Sequence, residues 1–133
     1  MALAVSIVLL EQDTPLPVAA IRNDFRTNWG GEIAPTNVRE DGETLSFSAG
    51  TTDVVLGRMP VPMPWSDLEG PCATSILWPT AAAELKAHAA HIVVTVAADL
   101  NPVEIARQLT IATASVVRAC PAALGVYWGS ATL

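Results

Sequence analysis

Asn101-Pro102-Val103-Glu104 opens the most sharply bounded element of this chain. The asparagine is an N-cap, the proline suits the first helical position, and a glutamate at N3 completes the capping pattern. From there Val103, Ala106, Leu109, Ala112, Val116 and Val117 recur as one helical stripe, with Arg107, Gln108 and Arg118 off it, until Cys120-Pro121 ends the helix. On either side stand short apolar runs, Ile92 to Ala98 and Ala123 to Trp128, which read as strands. A helix with one apolar stripe between two strands has to lie on a sheet, so the rest of the chain must supply further strands.

The remaining sequence predicts them. Ala-rich Met1–Leu10, with Val5, Ile7, Val8, Leu9 and Leu10, suits a central strand buried on both faces. Thr14 is placed to cap a helix with Pro15 and Pro17 in its first turn and Val18, Ile21 and Phe25 at helical spacing, ending near Asn28. Gly30-Gly31 breaks the chain, and Ile33 to Arg39, Thr44 to Ala49 and Thr52 to Met59 follow as three strands joined at Asp41-Gly42 and Gly50-Thr51. Thr80 to Ala87 returns to helix. The order β-α-β-β-β-loop-α-β-α-β predicts an α+β fold, an antiparallel or mixed sheet with helices packed on one face, of which a ferredoxin-like arrangement is one form. A length of 133 residues fits a single domain spanning 1–133, and an end directly after a strand raises the expectation of a truncated C-terminus.

Charge narrows the partners. Thirteen acidic against seven basic residues give a net charge of −6, which argues against neutralising nucleic-acid phosphates or an anionic membrane. Only 15% of residues are charged, and the mean hydropathy is +0.40, so a protein partner or homo-oligomer is expected to cover part of the surface. The apolar runs fall well short of the roughly 20 residues of a membrane helix. The first run has no basic leader and is followed by Glu11-Gln12-Asp13 in place of a cleavage site, so the expected location is cytoplasmic. In that reducing setting Cys72 and Cys120 are expected as two buried thiols.

Pro60 to Pro79 holds five of the ten prolines and two of the four tryptophans. In an extended Pro60-Val-Pro-Met-Pro-Trp65 the side chains of Val61, Met63 and Trp65 share a face. That makes the segment either a lid or edge strand sealing the core, or a docking rim in which Met63, Trp65 and Trp78 bind beside the acceptors Asp67 and Glu69. His88 and His91 form an H-x-x-H pair, a weak metal signal because no third ligand stands at a suitable spacing; no metal or other cofactor is expected. The ordinary alternative places His88 at a helix C-terminus and His91 at the start of a strand. Cys72, a histidine and Asp67 contain the residue types of a nucleophilic site, but no spacing matches a known one, so no catalytic residue is assigned. Glu11, Asp13, Glu40, Asp41 and Glu43 read as solvated turn carboxylates.

Met63-Pro-Trp-Ser-Asp-Leu-Glu-Gly-Pro71, Trp78-Pro79, Ala87-His88-Ala-Ala-His91 and Leu124-Gly-Val-Tyr-Trp-Gly129 together resemble an uncharacterised bacterial family, domain of unknown function 4261, over nearly the whole chain. The resemblance implies a longer chain continuing past the last strand and brings no activity, ligand or catalytic residue with it. The function expected from these features is a non-enzymatic cytosolic protein-interaction domain of accessory or toxin-neutralising type. The alternative is a small-molecule or metal-dependent enzyme with a pocket under the Pro60–Pro79 loop, using His88 and His91 with Asp67 or Glu69.

Overall fold

A computed structural model describes residues 2–28, 36–41, 43–74 and 76–128. In chain order these form β1 (Ala2–Leu10), α1 (Val18–Asn28), β2 (Thr36–Glu40), β3 (Thr44–Ala49), β4 (Thr52–Met59), α2 (Trp65–Ala73), α3 (Ala81–Leu85), β5 (Ala90–Ala98), α4 (Pro102–Ala119) and β6 (Ala123–Trp128). The strands make one six-stranded sheet in the order β2-β3-β4-β5-β1-β6, every neighbouring pair antiparallel. The fold is α+β. Its centre, β6-β1-β5-β4 with α1 and α4, has the split β-α-β connectivity of ferredoxin-like folds, extended at one edge by β3 and β2.

The period-two alternation of the strands sends one set of side chains to each face. Val8 and Leu10, Leu45 and Phe47, Val54 and Leu56, and Ile92, Val94 and Val96 form the main core with Ile21 and Phe25 of α1 and Ile105, Leu109, Ala112 and Val116 of α4. Phe25 meets Phe47 edge-on, with ring centroids 4.6 Å apart. The single-sided expectation describes α1 and α4. The short helices α2 and α3 lie on the opposite face, where Leu68, Cys72, Ala81 and Leu85 pack on Leu9, so the protein has three layers at the β1–β6 end of the sheet.

Asn101 caps α4 through its side chain, which accepts from the Glu104 N–H at 2.9 Å. The buried stripe differs from the expected one. Val103 is 80% exposed, and Gln108 is buried. The face toward the sheet is set by the Ile105, Leu109, Ala112, Val116 progression; Gln108 can join it because its Oε1 accepts from Thr52 Oγ1 at 2.6 Å. Helix α1 begins at Val18, later than Thr14 would place it, with the Ile21 N–H bonding to the Pro17 carbonyl. Both prolines therefore precede the helix.

In β1, burial on both faces holds for Val8, Leu9 and Leu10, whereas Leu3 is 68% exposed. At the β2–β3 connection Asp41 Oδ1 accepts from the N–H groups of Glu43 and Thr44. The β3–β4 hairpin turns at Gly50, whose φ of 63° glycine adopts without strain. The expected chain break at Gly30-Gly31, the Ile33–Pro35 start of a strand, Gly42 and the chain end at Gly129–Leu133 lie outside the described residues. Among the described residues no helix is long and apolar enough to cross a membrane.

Candidate functional site

The proline-rich segment is a strap followed by a helix. Residues 60–64 form no strand, and Trp65 starts α2, which accommodates Pro71 within its nine residues. Three prolines remove three backbone donors from the strap. Two of the groups that remain are engaged by the histidines: the Met63 N–H donates to His88 Nε2 at 2.9 Å, and His91 Nδ1–H donates to the Val61 carbonyl at 2.7 Å. His88 Nδ1–H donates in turn to the Leu85 carbonyl at 2.7 Å. A carbonyl can only accept, so these contacts fix the neutral His88 ring with its proton on Nδ1.

The H-x-x-H pair thus ties the strap to the start of β5. Among the described residues no group of His, Cys, Asp and Glu is arranged to hold a metal ion. With both nitrogens of His88 bound to backbone, that ring is not placed to act as base for Cys72, whose thiol burial pushes upward, away from the reactive thiolate. Cys72 and Cys120 are both free and buried, on opposite faces of the sheet.

The five residues read from sequence as a binding rim separate into two groups. Met63, Trp65 and Trp78 turn their apolar bodies toward the second cluster, while Asp67 and Glu69 are exposed on α2. Trp78 lies over β6, where a methyl group on Gly125 would stand 2.8 Å from its Cζ3 atom. Its indole N–H donates to Glu84 Oε2, which also accepts from Thr80 Oγ1 at 2.7 Å. These bonds, the Thr80 one foremost, hold the Glu84 carboxyl below its ordinary range. Trp65 and Trp78 therefore anchor the covering layer to the sheet, which is the sealing role weighed for this segment. Beneath it lies a cavity of about 60 Å³, lined mostly by apolar groups including Leu68, Cys72, Leu85 and Tyr127. Ligand pockets are typically about 300–1,000 Å³, larger than this cavity.

The covering layer stops partway across the sheet. Registers place Tyr127, Ile7, Val93 and Gly57 in one row across the second face, Val5, Thr95, Val55 and Ser46 in the next, and Leu3, Ala97, Asp53 and Ser48 in a third. Ile7 and Tyr127 pack under α2 and α3. Farther out the face is open: Leu3 and Val55 are exposed, and a methyl group on Gly57 would meet nothing within 4 Å. Toward β2 and β3 it turns polar, with Arg39 opposite Ser46 and the Ser48 hydroxyl donating to Asp53 at 2.7 Å.

Sequence reasoning did not single out this face. The available signal was apolar residues at outward positions of alternating strands, Leu3 in β1 and Val55 in β4. The turn carboxylates are also more engaged than expected. Asp13 and Glu43 pair with Arg58, and Glu40 with Arg22. Compared with family models, curated proteins and solved structures, the chain has no match.

Proposed function

We propose that this chain is a non-enzymatic cytoplasmic interaction domain that pairs with a second copy of itself through the open part of the sheet's second face. The observation that carries this reading is the group of apolar side chains Leu3, Val5, Val55, Val93 and Ala97 set around Thr95 on adjacent strands, with Leu3 68% and Val55 43% exposed. Each Å² of such surface removed from water contributes about 25 cal/mol. A rigid sheet presents it without an ordering cost for loops.

Charge favours a like partner. The open rows carry one formal charge of each sign, Asp53 and Arg39, so a two-fold axis through the face can set each against its opposite in the other copy. The net charge of −6, which elsewhere repels a second copy, is not concentrated there. Two free, buried thiols support a reducing compartment.

Light scattering coupled to size exclusion tests the reading with two lysine substitutions. Val55→Lys should dissociate the dimer while leaving the circular-dichroism melt in place, and Val103→Lys on the far side of the molecule should leave the dimer intact. Dissociation by Val103→Lys alone would move the interface to α4 and overturn the proposal.

A further inference from the structure

We infer that His88 is an acid-released latch that holds the strap, and with it α2, onto the second face of the sheet. The ring is 5% exposed, and both its nitrogens are committed to backbone, Nδ1–H to the Leu85 carbonyl and Nε2 to the Met63 N–H. Nε2 can accept that bond only while it has no proton. A second proton turns the contact into donor facing donor, and it leaves a buried positive charge. Histidine is the side chain whose charge ordinarily changes between about pH 5 and 8. In the open form water replaces the Met63 N–H at Nε2 and can accept as well as donate, so a second proton costs that form no contact.

The surrounding elements offer the ring no compensating anion. The ionisable side chains on them are Glu11 beyond β1, Asp53 and Arg58 on β4, Asp67, Glu69 and Cys72 on α2, Glu84 on α3, Lys86 in the following turn and His91 on β5. Among the described residues none of these is bonded to the His88 ring. Glu84 is held by Trp78 and Thr80, Arg58 by Asp13 and Glu43, and His91 by the Val61 carbonyl. His91 behaves differently on acidification. Its contact uses Nδ1–H as donor and survives a second proton on Nε2. One end of the strap therefore releases while the other stays tied, a local hinge distinct from global unfolding.

The inference stands apart from pairing through the open face, and the two thiols make it measurable. Cys72 is on the buried side of α2 in the second cluster, and Cys120 belongs to the main core on the opposite face. The full chain is treated with 4,4′-dithiodipyridine, which reacts at acid pH, and each cysteine is quantified by peptide mass spectrometry. At pH 7.5 both should be protected. At pH 5.0, where Glu84 keeps its charge, Cys72 should be modified at least tenfold faster than Cys120. His88→Gln, which offers an acceptor and a donor but no titration, should keep Cys72 protected at pH 5.0. Equal reaction of both cysteines, protection of Cys72 down to pH 5.0 in the wild type, or the same acid response in His88→Gln would overturn the latch. Should that variant fail to fold, nitrogen-15 shifts of the wild-type ring decide: protonation of His88 must coincide with loss of protection at the Met63 amide, and separate transitions would refute it.

Discussion

Trp78 and Gly125 touch across two layers: a methyl group at position 125 would lie 2.8 Å from Cζ3 and 2.9 Å from Cη2 of the indole. The glycine is required by that close approach, and the tryptophan in turn fixes α3 against β6. Gly125→Ala should displace the ring and destabilise the protein by about 1–3 kcal/mol, as overpacking does. Urea melts followed by circular dichroism measure the loss. In a Trp78→Leu background the same substitution should cost distinctly less, because its clash partner is gone.

The Glu84 carboxylate gives the covering layer a pH dependence of definite sign. Its hydrogen bonds from Thr80 and Trp78 lower its folded value below the ordinary 4.5. The stabilisation it contributes is therefore present above about pH 4.5 and is lost as pH falls through the depressed folded value. Melts of wild type and Glu84→Gln between pH 2.5 and 6 should converge at the acid end, with the wild type ahead at pH 6. A constant gap across that range would contradict the assignment.

Cys120 acts at the opposite end of the scale. Burial pushes its thiol up to about 11 from the ordinary 9.0. The unfolded chain releases this proton first, so the contribution is whole below pH 9 and declines as pH rises toward 11. In a Cys72→Ala background, which removes a second raised thiol, Cys120→Ala should flatten the alkaline loss of stability between those values. An unchanged alkaline slope would place the titration elsewhere.

Two buried hydroxyls on α4 make opposite predictions. Thr113 Oγ1 donates to the Leu109 carbonyl at 2.7 Å and so accepts from Ser6 Oγ, also at 2.7 Å, tying α4 to β1. Ser115 Oγ is buried without a hydrogen-bond partner among the described residues. Ser115→Ala should stabilise the protein by about 1 kcal/mol, whereas Thr113→Val should destabilise it by about 1–3 kcal/mol by orphaning Ser6. Paired denaturant melts are sufficient to compare them.

The elements legible in the sequence were those governed by local chemistry. Asn101 and Pro102 mark the start of α4, and Cys120-Pro121 its end, because capping and proline geometry act within a few residues. The strand β3 follows from alternation, and β5 from a short apolar run. Gln108 was misplaced because its burial depends on Thr52, a partner far away in sequence. The roles of His88 and His91 were hidden for the same reason: their spacing suggests ligation, while their partners are backbone groups of Val61 and Met63. The placement of α2 and α3 on the second face was not readable either. It depends on tertiary packing between Trp78 and Gly125 and leaves Leu3 and Val55 uncovered, a consequence of where the covering layer stops.

Sedimentation equilibrium of untagged wild-type protein from about 1 μM to 500 μM tests the pairing of two copies most directly. The expected result is one monomer–dimer equilibrium that fits all concentrations, with the dimer fraction rising steadily. A single monomer mass throughout that range would contradict it.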